Sequence, residues 1–277
     1  MDTAIAIDVA PVTPDFGAIK AKQQATWATG DYSVVGTTLQ IVGEQLCETI
    51  NLAPGSRVLD VAAGNGNVTL AAARRFCQVT STDYIGALLE GAKKRAEAER
   101  LDVTFQTADA EDLPFQDESF DAVLSTFGVM FTPDQAKAAS ELLRVCRKGG
   151  VIGMANWTPG GFIGQVFKTI GSHIPPAPGL KPPSRWGTEQ GLTELFGDKA
   201  SLSITPRKFI FRYRSADHFL EVFRTYYGPI NKAFEALGDQ GDKLEDDLRR
   251  LLFDLNIARD GTLAVPSDYV DVTLHKR

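Results

Sequence analysis

Between Pro54 and Ile152 short apolar runs alternate with amphipathic stretches. The runs are β-branched and leucine-rich, and the stretches between them carry the 3.6-residue period of helices. The pattern predicts strands over 57–61, 78–82, 102–107, 120–125 and 150–156, with helices over 66–75, 85–98 and 134–147 between them. Such alternation predicts a parallel sheet with helices on both faces. Residues 1 to about 15 read as loosely attached. Phe16 to Ile50 is helical in pattern, broken near Gly30-Asp31-Tyr32.

After Trp157 the rhythm changes. Thr158-Pro159-Gly160-Gly161 breaks the pattern, and 162–170 fits a helix. Residues 174–184 hold five prolines and predict an extended connector. Helices are expected over 188–196, over 217–227 behind the N-cap residue Ser215, and over 242–257. Residues 201–213 and 269–274 alternate as strands. The chain therefore divides into a helical segment (1–50), an α/β core (51–157), a cap (158–200) and a part completing the sheet (201–277).

Composition trims the functions open to such a chain. Its 277 residues are 43% hydrophobic, enough for one full core, and its net charge is −6. That balance disfavours a nucleic-acid groove, which needs basic residues to neutralise phosphates. Arg207, Lys208, Arg212 and Arg214 alternate with aromatics and read as the solvated face of a strand. Cys47, Cys77 and Cys146 are widely spaced in apolar contexts, so neither a disulfide frame nor a metal site is expected. No basic-then-apolar leader opens the chain, and no apolar run approaches membrane-spanning length. The expected location is the cytoplasm.

The candidate chemistry begins at Val58-Leu59-Asp60-Val61-Ala62-Ala63-Gly64-Asn65-Gly66-Asn67-Val68. A strand ends in an acid and turns through two glycines into a helix. Glycine lets the backbone approach a ligand with no Cβ in the way. A dinucleotide loop aims backbone N–H groups at a pyrophosphate, and a carboxylate beside it would repel that anion. The acid fits a ligand that carries positive charge.

On these residues the chain resembles the class I S-adenosylmethionine-dependent methyltransferases, in particular the small-molecule group that includes ubiquinone/menaquinone-type methyltransferases. The resemblance runs from about Pro54 to Trp157. Its first block reads Asp60-x-Ala62-x-Gly64-x-Gly66, with Ala62 where a glycine often stands and Val68 where a dinucleotide motif has its third glycine. Three further blocks follow in order, ending at Asp83, spanning Thr107–Phe115 and spanning Ser119–Ser125. The resemblance implies a Rossmann-like, seven-stranded, mostly parallel doubly wound sheet, with N-terminal helices, a helical cap between the fifth and sixth strands, and an antiparallel seventh strand.

The cofactor it implies is S-adenosylmethionine. Gly64 and Gly66, with Ala62, would approach its methionine part, and Asp60 its ammonium; the bland reading of Asp60 is a helix-capping acid. Asp83 would accept both ribose hydroxyls, with Tyr84 against the adenine. Asp109 and the N–H of Ala110 would read the adenine edge, or Asp109 is an Asx-turn. Ser125 and Phe127 follow the fourth strand at the methyl-transfer side. Tyr32 is the candidate lid contact.

A general base is harder to place. His173, His218 and Tyr226 are candidates, but a lone histidine is more often structural, and attack on a sulfonium does not demand a base. The cap is rich in aromatics, and Phe219, Phe223, Tyr226 and Tyr227 recur at helical spacing. They read both as core and as an acceptor pocket, closed by the segment Trp157–Trp186 and the helix 217–227. The reading is methyl transfer to a small, apolar or aromatic acceptor. Its rivals are an NAD(P)-linked oxidoreductase and a non-catalytic adenosylmethionine-binding regulator. The acceptor and the oligomeric state are not legible in the sequence.

Overall fold

The structure, a computed structural model, describes residues 14–277. The reading of residues 1 to about 15 as loosely attached therefore lies outside the described residues, except at Pro14 and Asp15. Seven strands form one sheet: β1 (Arg57–Val61), β2 (Gln78–Asp83), β3 (Val103–Thr107), β4 (Phe120–Thr126), β5 (Cys146–Trp157), β6 (Ala200–Tyr213) and β7 (Leu263–Lys276). Their order is β3-β2-β1-β4-β5-β7-β6. The pairs from β3 to β5 are parallel, and β7 runs antiparallel to both its neighbours.

Among the described residues three helices precede the sheet: α1 (Phe16–Trp27), α2 (Tyr32–Gly36) and α3 (Gln40–Thr49). Three more, α4 (Asn67–Arg74), α5 (Gly86–Ala98) and α6 (Gln135–Val145), alternate with the parallel strands. Then come α7 (Phe162–His173), α8 (Glu189–Phe196), α9 (Ala216–Tyr226), α10 (Gly228–Leu237) and α11 (Gly241–Leu255). Local chemistry sets several of their starts. Asp15, Asp31, Asp134, Thr188 and Ser215 each accept a hydrogen bond from a backbone N–H in the first turn that follows. Among the described residues no helix is long and apolar enough to cross a membrane.

The central strands read as near-continuous apolar runs because helices cover both faces. Val58, Leu59, Val123, Leu124, Ile152 and Met154 are fully buried. β1 leads to β2 on one side and β4 lies on the other, so the loops after β1 and β4 diverge. In an open α/β sheet that divergence opens a ligand crevice at the carboxyl ends of the strands.

Three elements differ from the sequence reading. The fifth strand does not begin at the expected position 150. β5 already starts at Cys146, and its pairing with β4 shifts register between Phe120 and Ala122. Gly149, at φ 67°, supplies the left-handed residue of that irregularity. The last strand begins at Leu263, six residues before the expected 269, although Pro266 lies inside it. β5 pairs with β7 only from Tyr269 onward, so residues 263–268 have β6 alone as neighbour. An edge tolerates a proline whose missing N–H faces no partner. Finally, α10 had no counterpart in the reading, because Gly228-Pro229 looks like a break. Here Pro229 sits in the first turn, where its missing N–H costs nothing.

Candidate functional site

At the switch point the chain leaves β1 through three left-handed residues: Ala62 (φ 53°), Gly64 (φ 57°) and Gly66 (φ 81°). Ala62 takes the glycine-like conformation at a cost of about 1–2 kcal/mol. A Cβ on Gly64 would sit 3.3 Å from the Tyr32 ring, so this glycine keeps the loop open toward the cleft. Gly66 has a different task. A Cβ there would meet Ala92 Cβ at 2.9 Å, so it lets the loop pack on α5 and does not line the cleft.

Asp60 also lies beneath the loop, fully buried and off the cleft wall. Its Oδ2 accepts from Thr69 Oγ1 at 2.5 Å, while Oδ1 has no partner. Burial pushes this carboxyl up to about 7. The bond to Thr69 is between side chains, and no side chain caps the start of α4. A second support was not foreseen. Arg95 of α5 donates to the Asn65 carbonyl at 2.5 Å and to Asn67 Oδ1 at 3.0 Å, and Asn67 Nδ2 donates to the Gly36 carbonyl at 2.7 Å. These bonds tie the loop to α2 and α5. Only the asparagines at positions 65 and 67 hinted at it.

Asp83 ends β2 and lines the cleft. Its Oδ2 accepts from the Gly64 N–H at 2.9 Å and its Oδ1 from the Ile85 N–H at 2.8 Å. Each oxygen keeps a lone pair for a further donor. Burial raises its carboxyl to about 6, against the opposing effect of the backbone N–H bonds. The sign for stability follows. This group favours the fold most below the unfolded pKa near 4, and that contribution is lost as pH rises to about 6. Ligand binding runs the other way, because hydroxyl donors prefer the ionised carboxylate. Affinity for S-adenosylhomocysteine should therefore hold above pH 7 and fall nearly tenfold per unit below about pH 5.5. Calorimetry across pH 5–8 checks this, and Asp83→Asn should lose the slope.

The loop after β3 brings Ala108, Asp109, Ala110 and Glu111 to the same cleft, beside Tyr84 and Ile85. Asp109 Oδ1 accepts from the Glu111 N–H at 2.9 Å, which is the Asx-turn. Its Oδ2 takes Lys20 Nζ at 2.6 Å, and the same lysine reaches Glu111 Oε2 at 2.5 Å. Gln24 Nε2 donates to the Tyr84 carbonyl at 3.0 Å. α1 thus lies across the cleft and is fastened to its acidic rim. Glu111 is buried. Neither it nor Lys20 was foreseen, because their pairing spans ninety-one positions of chain.

The rest of the cleft draws on α1, α2, the segment after β4, the end of β5, α7, β6 and α9. Trp27, Tyr32, Phe127, Phe131, Trp157, Ile163, Phe211, Phe223 and Tyr227 line it. Phe127 stacks on Trp157 with ring centres 3.8 Å apart and planes at 3°. Trp27 meets Tyr32, Phe131 and Tyr227 edge-on at 5.1–5.8 Å. Burial, then the charge of Asp83, pushes the Tyr32 hydroxyl well above the usual phenol range. Burial, then Tyr32, does the same to Tyr227.

Several expected site residues fall elsewhere. His173 Nε2 pairs with Asp247 at 2.9 Å between α7 and α11. His218 Nδ1 accepts from the Arg214 N–H at 3.2 Å beside the start of α9. Ser125 Oγ donates to the Val61 carbonyl and accepts from the Val129 N–H, so it braces the turn after β4. None of the three lines the cleft, nor does Tyr226. Tyr227 takes the place expected of Tyr226. α9 ends at Tyr226, and Tyr227 continues the stripe set by Phe219 and Phe223 at intervals of four. That spacing was the available signal.

Known proteins match this chain over different spans. The family model of the methyltransferase domain matches residues 59–154. An uncharacterized protein of Mycobacterium tuberculosis is 38% identical over 94% of this chain and 96% of its own length. A demethylmenaquinone methyltransferase of Clavibacter sepedonicus is 39% identical over 126 residues, which are 44% of this chain and 51% of that protein. The solved structure of a putative methyltransferase from Bacillus halodurans has the same fold, at a TM-score of 0.59 and 21% identity, over 84% of this chain and 98% of that one.

Proposed function

This chain belongs to the S-adenosylmethionine-dependent methyltransferases, and on that premise we propose that it methylates a small apolar or aromatic molecule seated among the aromatic rings of the cleft. The observation that carries the reading is the make-up of the cleft. Asp83, Asp109 and Glu111 line it with Lys20, and so does a group of aromatic rings that includes Tyr32, next to Gly64 and within reach of the Asp83 charge. The lone pairs that Asp83 keeps suit the hydroxyl donors of an adenosine. An apolar wall with few polar groups suits a neutral organic acceptor.

The residues present fit the cofactor. Asp83 would hold the ribose hydroxyls, and Asp109 with the Ala110 N–H would face the adenine. The backbone of Ala62, Ala63 and Gly64 would meet the methionine part, next to the space that a Cβ on Gly64 would fill. When bound, S-adenosylmethionine supplies a methyl group already activated by its sulfonium. The protein's own contribution is then placement. Trp27 and Tyr32 cover the cleft, Phe127 and Trp157 form a rigid stacked wall, and Phe223 and Tyr227 exclude water around the acceptor. Cover of this kind favours one in-line approach over the many that solution allows. The cytoplasm remains the expected location.

Family membership sets aside the oxidoreductase alternative. Calorimetry with S-adenosylmethionine, S-adenosylhomocysteine and NAD tests the cofactor end, and binding of the first two alone is expected. Label from a methyl-labelled cofactor should then pass to apolar acceptors offered as a panel. Tight binding without transfer to any acceptor would favour a regulator and overturn the reading.

A further inference from the structure

The cleft has a charge and proton inventory that narrows what can react there. Trp27, Tyr32, Phe127, Trp157, Phe223 and Tyr227 give it hydrocarbon and phenol surface. Among the described residues the lining cation is Lys20, and it is held by Asp109 and Glu111. A carboxylate or phosphate on the acceptor would be buried among these rings with no counter-ion.

The acids of the cleft have partners, and Asp83 keeps only the lone pairs proposed above for the ribose hydroxyls. Asp83 receives the N–H groups of Gly64 and Ile85. Asp109 receives the Glu111 N–H and Lys20. Glu111 receives the Asp134 N–H and Lys20. All three acids belong to the loops after β2 and β3. The Tyr32 phenol, within reach of the Asp83 charge, and the Tyr227 phenol are kept protonated by burial. His173 and His218 are engaged outside the cleft. An alcohol or phenol must lose a proton to attack, and among the described residues no free base faces the rings to take it.

Resting on the methyl-transfer reading above, we propose that the acceptor is an uncharged apolar amine, a tertiary amine above all, which enters with its nitrogen lone pair free. The lone pair forms the N–CH3 bond as the C–S bond breaks, and the electrons of that bond stay on sulfur. Positive charge moves from sulfur to nitrogen, and no proton leaves. The reaction therefore asks nothing of the protein that the cleft lacks. Its product is a quaternary ammonium among aromatic rings, in a cleft whose acids outnumber its cation. Aromatic rings attract such cations through their quadrupoles.

The experiment uses the full chain with S-adenosylhomocysteine bound. Calorimetry compares benzyltrimethylammonium with neopentylbenzene, in which carbon replaces the charged nitrogen. The ammonium should bind at least tenfold tighter. Trp27→Leu should cut that preference to less than threefold. Equal or weaker binding of the ammonium overturns the proposal. A second arm offers labelled cofactor with N,N-dimethylbenzylamine, phenylmethanethiol, benzyl alcohol and phenylacetate. The amine should be labelled fastest, with a rate that rises with pH through the amine's own pKa. Faster labelling of the thiol, alcohol or carboxylate, or no labelling of the amine, overturns it. Failure of S-adenosylhomocysteine itself to bind would instead sink the methyl-transfer reading, and the amine with it.

Discussion

Asp83→Ala should lose about 1.5–3 kcal/mol of cofactor affinity, the range for hydrogen bonds to a charged group. Unlike a surface acid, it should also lower the melting temperature. Its carboxylate takes the N–H groups of Gly64 and Ile85, and alanine leaves both donors buried without partners. Each orphan costs about 1–3 kcal/mol, offset in part because a buried charge disappears with them. Asp83→Asn separates the two effects. Its amide oxygen still accepts one N–H, while its NH2 group faces the ribose side or the loop as a donor. A folded Asp83→Asn protein with unchanged S-adenosylhomocysteine affinity would show that the carboxylate serves the loop alone.

Phe223→Ala should be the most destabilising of the aromatic truncations. Phe223 is 1% exposed, stacks on Phe219 with ring centres 4.0 Å apart, and also touches Phe211, Tyr213 and Tyr227. Removing a buried phenylalanine leaves a cavity and costs about 3–5 kcal/mol. Loss of turnover in that variant would say little about the acceptor, because the wall itself would collapse. Phe223→Leu keeps most of the volume and is the informative change. It should slow methyl transfer while leaving S-adenosylhomocysteine affinity within a few-fold, since the cofactor loops follow β1, β2 and β3. Tyr226→Ala, off the cleft, should affect both much less. Thermal melts and paired binding and transfer assays on the three variants decide this, and a Tyr226→Ala protein with the larger loss of transfer would reverse the assignment.

The cofactor half was legible because its signals are local. An acid, two glycines and a helix start occupy seven consecutive positions, and one helix plus one strand separates Asp60 from Asp83. Strand order in a right-handed, doubly wound sheet then brings the ends of β1, β2 and β3 side by side. Asp60 shows the limit of motif reading. Its position marks the loop, yet its side chain points beneath it to Thr69, because the residue lies on the strand's buried face.

What the sequence by itself determined is the sheet, the cofactor loop and the family, since each rests on the period of a strand or helix or on a turn that only small residues can make. What tertiary structure decided is which distant side chains meet. Lys20 closes on Asp109 and Glu111, and Arg95 holds the glycine loop, through contacts between elements far apart in the chain. The histidines read as possible bases are drawn into a pair with Asp247 and a local bond to Arg214, away from the cleft. Tyr227, not Tyr226, lines the cleft, four positions after Phe223 in the stripe that Phe219 begins. Periodicity fixes which face of an element is apolar. Only packing, a sum over many weak contacts between faces, selects which of those apolar residues are left lining a cleft.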